Sequence, residues 1–473
     1  MQKRVSTTLF DKIWDSHVVK SLPDGSALVY LDRVFLHERT GSVALESLKA
    51  ADHAVKNPRH AFATMDHIVD TLPGRGDKTL MPGGENYIRT MRRASNEANL
   101  TLFDIHHQDH GIAHLISAEQ AITLPGLVVA CPDSHTCTLG ALGAIGWGIG
   151  TSDCEHALAT QTLRGTKPKQ MRVCFEGDLP PGVTAKDMIL HLIAKYTASG
   201  AAGHAVEFAG STIEHLPLEA RFTLCNMAVE FSAFTGIIAP DQVVFDYLQN
   251  RNYAPKGELW EKAEAHWREL KSDSDAVFDR EIVIKSEAIA PTITWGTSPQ
   301  HAIPVDGKVP ALNEAVDENE RAAMKVALDY MGLNPGQPIE GLPIQGAFIG
   351  SCTNSRLSDL RAAASILNNH RVAPGVRAIC TPGSAQVKRA AEQEGLDQIF
   401  LEAGFEWREP GCSLCFFAGG ESFGIEERVI TSTNRNFRGR QGRKTRSHLA
   451  SPAAVAASAI AGEIVDVRKV NGR

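Results

Sequence analysis

Short runs of apolar residues alternate along the chain with segments of helical periodicity. Residues 126–130 and 344–349 are apolar runs that each lead into a turn rich in Ser, Asp or Gly, a pattern typical of buried strands. Between such runs, residues 184–195 place apolar side chains at helical spacing, and Thr184 stands where an N-cap is expected. Strands that alternate with helices in this way predict α/β layers.

Changes in composition suggest where domains meet. A length of 473 residues allows about three domains at roughly 150 residues each. A segment rich in Gly and Ala ends near Gly165, before the strand-like residues 170–176, and a linker that contains Pro, Asp and Gly is expected around residues 303–322. The sequence therefore predicts three domains, at 1–165, 166–304 and 305–473.

Charge and hydropathy exclude several classes of protein. The net charge of −7, from 48 basic and 55 acidic residues, gives no reason to expect a nucleic-acid partner. No apolar stretch reaches the roughly 18 residues that a membrane span needs, and Asp11 and Asp15 interrupt the region where a secretory signal would be apolar. We therefore expect a soluble, cytoplasmic protein that binds neither nucleic acid nor a membrane. With no export signal, the nine cysteines also argue against a disulfide framework.

Two segments combine thiols with turns that contain glycine. Cys352 follows the predicted strand at 344–349, and Cys412 and Cys415 form a Cys-x-x-Cys pair. Three thiolates suit a [4Fe–4S] cluster in which one iron stays open as a Lewis acid for a bound hydroxyl. A zinc site completed by a histidine, or a redox dithiol with Cys352 simply buried, is equally compatible with the spacing. The other cysteines lack such a setting, and we predict that most are small core residues.

Several short motifs place an imidazole near a carboxylate. Elimination of water needs one group to protonate the departing hydroxyl and another to take a proton from carbon, and a histidine oriented by a carboxylate suits the first role. A chain with 18 histidines also produces such neighbours by chance, so the alternative for each is a surface pair or a buried polar group with its own partners. The candidates are Asp66 with His67, His114, Asp133 with Ser134 and His135, and Asn226 with Glu230.

Two local expectations accompany these candidates. Asn226 and Glu230 are four residues apart, so on one α-helix both side chains would face the same way. His106, His107 and His110 resemble metal ligands, but we expect them to lie in a polar loop.

A basic segment near the C-terminus breaks the acidic trend. Residues 431–446 contain Asn434 and a series of arginines that includes Arg435 and Arg440. Since the planar guanidinium group binds carboxylates through two hydrogen bonds, the segment suits a di-anionic organic acid. The alternatives are a solvated basic surface and a patch for phosphate or RNA. Because Phe437 is the only aromatic residue there, the segment offers little for base stacking.

Taken together, the motifs resemble those of the aconitase superfamily. The resemblance runs through most of the chain, and this collinearity is more specific than any single motif. It implies an α/β fold of three-layer α/β/α domains of the aconitase type, without the fourth, swivelling domain of single-chain aconitases. The matching segments are Thr-Leu-Phe-Asp-Lys-Ile-Trp at 8–14, Asp-Ser-His-Thr at 133–136, Ala-Thr-Gln-Thr-Leu at 159–163, Pro-Gly-Val-Thr-Ala-Lys-Asp at 181–187, Glu-Phe-Ala-Gly at 207–210, Thr-Trp-Gly-Thr-Ser-Pro at 294–299, Gly-Ser-Cys-Thr-Asn-Ser at 350–355, Pro-Gly-Cys-Ser-Leu-Cys at 410–415 and Asn-Arg-Asn-Phe-Arg-Gly-Arg at 434–440.

Carried over to this sequence, the resemblance implies roles for individual residues. Three cysteines would bind one [4Fe–4S] cluster per chain, whose fourth iron has no protein ligand and binds substrate; they are Cys352, Cys412 and Cys415. The implied acid–base pairs are Asp66 with His67, His114 with Asp133, and His135 with Glu230. The implied substrate contacts are His37, Ser134, Asn226, Asn434, Arg435 and Arg440. Residues 416–423 and 106–110 depart from the usual pattern, which affects the expected substrate but not the ligands.

The resemblance also implies a reaction and a partner. Within the superfamily the chain most resembles large subunits of leucine biosynthesis, which isomerise an alkyl-malate by removing and re-adding water. Since no swivelling domain follows Arg473, a small subunit would supply that domain and complete the active site. The alternatives are the same chemistry on citraconate or methylmalate, dimethylmalate or homoaconitate, an iron-sensing RNA-binding protein, and a zinc-stabilised scaffold.

Overall fold

The structure, a computed structural model, describes residues 6–417 and 420–472. The contacts within the chain divide it into two units, each built from three segments. Unit 1 comprises Met1–Asp66, Glu85–Asp178 and Ala201–Ser286, and unit 2 comprises His67–Gly84, Leu179–Gly200 and Glu287–Arg473. In the part of the chain that the structure describes, no helix combines the length and the apolar character required to cross a bilayer.

The strands are short, and most are at least partly buried. In chain order they are β1 (Val18–Ser21), β2 (Ala27–Tyr30), β3 (Arg33–His37), β4 (Ala61–Thr64), β5 (Thr101–Phe103), β6 (Val128–Cys131), β7 (Ile145–Gly148), β8 (Thr162–Gly165), β9 (Lys169–Glu176), β10 (His204–Ala209), β11 (Gly236–Ile237), β12 (Arg280–Lys285), β13 (Thr292–Thr294), β14 (Ala302–Pro304), β15 (Gly346–Ile349), β16 (Arg377–Cys380), β17 (Phe405–Trp407), β18 (Arg428–Thr431) and β19 (Arg446–Leu449).

The α-helices alternate with these strands along the chain. They are α1 (Leu9–His17), α2 (Glu38–Ala50), α3 (Gly84–Glu97), α4 (Ala113–Glu119), α5 (Thr151–Thr160), α6 (Ala185–Tyr196), α7 (Ser211–His215), α8 (Leu218–Asn226), α9 (Gln242–Leu248), α10 (Glu258–Arg268), α11 (Glu318–Met331), α12 (Leu357–Leu367), α13 (Ala385–Gln393), α14 (Leu396–Ala403) and α15 (Pro452–Ala461). Short 3₁₀ helices follow several strands and helices, and those used below are Ser134–Leu142, Met227–Phe231 and Ser413–Cys415.

Unit 1 contains two parallel sheets and a small antiparallel sheet, β1-β2-β8. The first parallel sheet has the order β5-β4-β3-β6-β7, and the second has the order β11-β10-β9-β12. In the first sheet the chain adds β4 and β5 on one side of β3, and then β6 and β7 on the other side. The direction of winding therefore reverses between β3 and β6, and such a reversal opens a crevice at the carboxyl ends of the strands where α/β proteins bind ligands.

Aromatic side chains from three neighbouring strands form the core of the first sheet. Phe35 of β3 stacks on Phe62 of β4 and on Phe103 of β5, with ring centroids 6.1 and 6.4 Å apart. Aromatic pairs of this kind contribute about 0.5–1.5 kcal/mol beyond the burial of their surfaces. The stacked rings thus stabilise the position of β3, whose last residue, His37, is one of the predicted site residues.

Unit 2 contains a parallel sheet with the same pattern of strand order. Its order is β17-β16-β15-β18-β19, so the winding reverses between β15 and β18. Helices α12 and α15 pack against each other, and α15 packs against β15. The buried side chains of this core include Leu360, Ile349 and Val455. Because β15 and β18 are parallel neighbours, the loops that follow them meet at the carboxyl edge of the sheet.

Helix α6 begins at its predicted N-cap. The backbone N and the Oγ1 of Thr184 both donate to Asp187 Oδ2 at 2.7 Å, and Asp187 Oδ1 accepts the backbone N–H of Thr292 at 2.7 Å. Burial has the largest influence on Asp187 and raises its pKa to about 6, although these hydrogen bonds act in the opposite direction. One carboxyl group thereby joins the start of α6 to β13 inside unit 2.

The predicted fold class is confirmed, because parallel strands alternate with helices that flank the sheets. The strands predicted at 126–130, 170–176 and 344–349 appear as β6, β9 and β15. The division into three domains stays a prediction: each predicted domain contains one of the larger parallel sheets, whereas the contacts group the chain into two units.

One of the two local expectations was wrong. Asn226 ends α8 and Glu230 lies in the 3₁₀ helix Met227–Phe231, so the two residues do not share one α-helical face. A 3₁₀ helix has three residues per turn, whereas an α-helix has about 3.6. After the change of helix type, side chains four residues apart therefore no longer point in the same direction. His106, His107 and His110 lie in a loop as expected; the first two are exposed, and His110 is buried. Its Nε2 lies 2.6 Å from the carbonyl oxygen of Met65, which as a buried polar group needs a donor.

Candidate active site

The first sheet of unit 1 brings two distant sequence motifs together at its reversal of winding. β3 ends at His37, and β6 is followed by Pro132 and Asp133. His37 Nε2 lies 3.1 Å from the carbonyl oxygen of Pro132, and the histidine is only 2% exposed. Because the carboxyl ends of β3 and β6 form the expected ligand crevice, these side chains are placed where an α/β protein performs its chemistry.

Asp133 is the centre of an acid–base network that includes two buried histidines. It caps the 3₁₀ helix Ser134–Leu142, where its Oδ1 accepts the backbone N–H of His135 at 2.6 Å. The same oxygen lies 3.2 Å from His114 Nε2 and 3.5 Å from His135 Nδ1. His135 Nε2 in turn lies 3.1 Å from Glu230 Oε1. The structure therefore brings together His114, Asp133, His135 and Glu230 as the two predicted carboxylate–imidazole pairs.

Two polar residues border this network. Asn226 is fully buried, and its Nδ2 donates to Thr138 Oγ1 at 2.8 Å. Ser134 is exposed, and its Oγ lies 3.4 Å from His135 Nδ1. Glu230 and Asn226 thus reach the same 3₁₀ helix, Ser134–Leu142, by long-range contacts rather than through a shared helical face.

Asp66 positions the helix that carries His114. Its Oδ2 accepts the backbone N–H of Ala113, the first residue of α4, at 2.9 Å. Its own backbone N–H donates to Glu38 Oε2 at 3.0 Å. Glu38 is fully buried and was missed in the sequence, although its place directly after the strand ending at His37 is a signal for it. The predicted pairing of Asp66 with His67 stays a prediction.

In unit 2 the reversal between β15 and β18 brings Cys352 and Asn434 together. Cys352 lies in the loop after β15, and Asn434 lies in the loop after β18. Asn434 Nδ2 donates to Cys352 Sγ at 3.4 Å, and its Oδ1 lies 3.8 Å from Cys415 Sγ. Asn434 therefore contacts the sulfurs of two of the three predicted ligand cysteines.

The three sulfurs are not grouped as closely as the ligands of a single ion would be. Ser351 Oγ lies 4.0 Å from Cys352 Sγ and 3.1 Å from Cys415 Sγ, so these two sulfurs are at most 7.1 Å apart. In the part of the chain that the structure describes, the three Sγ atoms do not all lie within 4.8 Å of one another, so at least one pair of sulfurs is farther apart than that. Around one tetrahedral zinc ion, with Zn–S near 2.3 Å, sulfurs would be about 3.8 Å apart. The donor set thus fits a multinuclear iron–sulfur cluster better than zinc.

The backbone beside the cysteines has unusual geometry. Ser351 has φ 81° and Ser413 has φ 46°, so both lie in the left-handed region that non-glycine residues seldom adopt. The backbone N–H of Cys415 donates to the carbonyl of Cys412 at 2.9 Å and closes a tight turn between the paired thiols. Strained residues of this kind persist where the surrounding structure requires them, which is common at functional sites. All three predicted ligand cysteines are buried, at 4–5% exposure.

His67 and Arg440 lie beside the cysteine pair. His67 Nδ1 is 3.9 Å from Cys412 Sγ, and its ring meets Phe416 edge to face. Arg440 Nη2 donates to Cys415 Sγ at 3.5 Å, and its guanidinium carbon lies 4.9 Å from the centroid of the Phe416 ring. Arg440 Nε is buried without a hydrogen-bond partner among the described residues. The sulfur and the aromatic rings hold the guanidinium group in place, and its Nε–H donor stays available for an anion.

The remaining predicted residue of the basic segment is less deeply placed. Arg435 is half-buried, and its carbonyl oxygen lies 3.4 Å from Thr433 Oγ1.

Lys186 was not among the predicted site residues, although it is 1% exposed and reaches the loop that contains Asn434. Its place in the matching segment 181–187 is the signal that could have identified it, since a lysine in an amphipathic helix ordinarily faces water.

Comparison with known proteins decides the family. The profile of the Aconitase family (aconitate hydratase) matches residues 11–462, almost the whole chain. The chain belongs to the aconitase family. The resemblance found in the sequence motifs is thereby confirmed, and proteins of the aconitase family generally use a [4Fe–4S] cluster.

One curated relative and one solved structure accompany the family match. The chain is 52% identical over 461 residues to "3-isopropylmalate dehydratase large subunit 1" of Bradyrhizobium diazoefficiens, a match that covers 98% of this chain and 96% of the relative. It also matches the crystal structure of aconitase X (holo-form) from Thermococcus kodakaraensis with a TM-score of 0.47 and 11% identity, over 86% of this chain and 84% of that one.

Proposed function

We propose that this chain is the large subunit of a cytoplasmic 3-isopropylmalate dehydratase of leucine biosynthesis. The reaction interconverts 2-isopropylmalate and 3-isopropylmalate by loss and return of water through 2-isopropylmaleate. The observation that carries the proposal is the 52% identity, over nearly the full length of both chains, to a relative with that name. The carboxylate–imidazole pairs and the three free thiols supply the chemistry that such a hydro-lyase needs.

The three cysteines are the proposed ligands of a [4Fe–4S] cluster. Cys352, Cys412 and Cys415 are free thiols, and their sulfurs have the spacing described above. When bound, the cluster supplies a Lewis acid at the one iron that lacks a protein ligand. Asn434 orients two of the sulfurs through its amide group. Iron and zinc analysis of the anaerobically purified chain distinguishes this proposal from a zinc scaffold.

The proposed acid–base groups are buried histidines held by half-buried carboxylates. Asp133 lies between His114 and His135, and Glu230 contacts the second nitrogen of His135. A carboxylate that contacts one ring nitrogen orients the imidazole and favours a proton on that nitrogen. We propose that these pairs protonate the leaving hydroxyl and that a partner subunit removes the proton from carbon.

Arg440 is proposed to bind a substrate carboxylate. For Arg440→Lys we expect KM for isopropylmalate to rise roughly 10- to 100-fold, because hydrogen bonds to charged groups are worth about 1.5–3 kcal/mol and lysine cannot form a paired contact. Steady-state kinetics of the complete enzyme measure this change, and kcat should change less. Arg438→Lys, at an exposed position of the same segment, is the matched control. An unchanged KM for Arg440→Lys would remove Arg440 from the proposed contacts.

A small subunit that carries a swivelling domain is the proposed partner. We expect the purified chain with a full cluster to show no significant turnover, and activity to appear when the small subunit is added. The ultraviolet absorbance of 2-isopropylmaleate measures the reaction. Substantial turnover by the chain alone would contradict the need for a partner. A higher kcat/KM on citraconate, dimethylmalate or homoaconitate would change the substrate but keep the class of reaction.

A further inference from the structure

Lys186 is a buried lysine whose ammonium group is held by neutral acceptors. Its Nζ donates to the carbonyl oxygens of Ser432 and Thr433 at 2.8 and 2.5 Å, and to Asn354 Oδ1 at 3.4 Å. The residue is 1% exposed. Within residues 6–417 and 420–472, no carboxylate oxygen is paired with this nitrogen at ion-pair distance. Burial of a cation without a paired anion is costly, so the position requires an explanation.

The acceptors of Lys186 belong to the two loops that hold the cluster residues. Asn354 lies two positions after Cys352 in the loop that follows β15, and Ser432 and Thr433 precede Asn434 in the loop that follows β18. Since β15 and β18 are neighbours at the reversal of winding, one ammonium group connects both loops from the side of α6. The side chain of Lys186 therefore contacts both loops close to Cys352 and Asn434.

The electrostatic surroundings of Lys186 contain the ligand thiols. Burial is the largest influence and lowers the pKa of Lys186 to about 7, whereas the charges of Asp359, Asp187, Cys352 and Cys415 act to raise it. Three thiolates on an iron–sulfur core leave an anionic group, and its reduction potential depends on nearby charge. A bound cluster would therefore add negative charge near Nζ to that of the carboxylates of Asp359 and Asp187.

We propose that Lys186 is a positioning residue for the iron–sulfur cluster, which holds the loops of Cys352 and Asn434 together and offsets the charge of the thiolate-bound cluster. The inference rests on the proposed function, since it requires that Cys352, Cys412 and Cys415 bind a [4Fe–4S] cluster. Under this proposal, α6 helps to retain the cluster in addition to the three cysteine ligands.

The test uses the full chain, reconstituted anaerobically with iron and sulfide. Lys186→Met removes the charge and the hydrogen bonds, Lys186→Gln removes the charge but keeps a donor, and Lys186→Arg keeps the charge. Residues that support metal ligands typically change metal affinity by about 10- to 100-fold. We therefore expect Lys186→Met to lose iron to a chelator at least about 10-fold faster than the unsubstituted chain does. Both neutral variants should also show a lower reduction potential of the cluster, and Lys186→Arg should not.

Lys195→Met is the matched control, because Lys195 lies on the same helix with an exposed side chain. Near-ultraviolet circular dichroism of each apo chain checks folding, and if Lys186→Met does not fold, the reduction potential and iron loss of Lys186→Gln decide. Unchanged iron loss and potential in a folded neutral variant would overturn the inference. If the unsubstituted chain takes up no cluster, the proposed function fails instead, so the two failures are distinguishable.

Discussion

Substitution of Cys412 by serine is expected to lower turnover by roughly a thousandfold or more, because the Lewis acid that the cluster supplies is worth several kcal/mol to the reaction. Cys412 forms a tight turn with Cys415, and its sulfur lies 3.9 Å from His67 Nδ1. A serine hydroxyl in this place would keep the turn but bind iron poorly. Iron and sulfide content, visible absorbance and the rate of 2-isopropylmaleate formation measure the result in the enzyme assembled with its small subunit.

Cys174→Ser is the control for the cysteine prediction. Cys174 is half-buried on β9 in unit 1, and burial is the main reason why its pKa is raised. We expect this variant to retain iron, sulfide and turnover. A Cys412→Ser enzyme with normal iron content and normal rate would contradict the assignment of Cys412 as a ligand.

Substitution of Asp133 by asparagine is expected to lower kcat by about 10²- to 10⁴-fold, the usual contribution of general acid–base catalysis. Asp133 Oδ1 contacts both His114 and His135 and also receives the backbone N–H of His135. Asparagine has nearly the same shape but lacks the charge that stabilises a protonated imidazole. Because the helix cap can persist, we expect folding and iron content to change little. Steady-state kinetics and iron analysis of the same preparation separate the two effects.

Asp32→Asn provides a matched control for the Asp133 prediction. Asp32 Oδ2 lies 2.8 Å from His17 Nε2 and accepts the backbone N–H of Val128 at 2.8 Å. This pair has the same chemistry as His114 with Asp133, but it lies outside the crevice between β3 and β6. We expect kcat of Asp32→Asn to stay near that of the unsubstituted enzyme. If both aspartate variants lost kcat equally, the effect of Asp133 would be structural rather than catalytic.

Local chemistry explains which features of the fold could be predicted. The apolar runs that became β6, β9 and β15 are buried strands because each can pair on both sides and cover both faces. Thr184 was predicted as the N-cap of α6 because a short hydroxyl side chain at that position can bond to the first turn. These outcomes depend on neighbours within a few residues, so the sequence pattern contained them.

Motifs also located most of the candidate site before any contact was known. Cys352 and the pair Cys412 and Cys415 stood out because thiols beside glycine-bearing turns are uncommon. The pair of Asn226 and Glu230 shows the limit of this approach. Both reach the helix Ser134–Leu142, but the assumed common α-helical face does not exist, because the chain changes to a 3₁₀ helix after Asn226.

By itself, the sequence determined the class of fold, the residues able to bind a cluster and the types of group able to move protons. Spacing along the chain could not pair the carboxylates with the imidazoles; the resemblance implied the pair of His135 and Glu230, which are 95 positions apart, and only the tertiary structure shows how sheet order and helix packing bring them together. The same holds for Lys186, whose position in α6 resembles an ordinary solvent-exposed lysine until α6 packs beside the loops after β15 and β18. The physical reason is that spacing along a chain encodes local backbone geometry, whereas contacts between distant residues depend on how the sheets are wound.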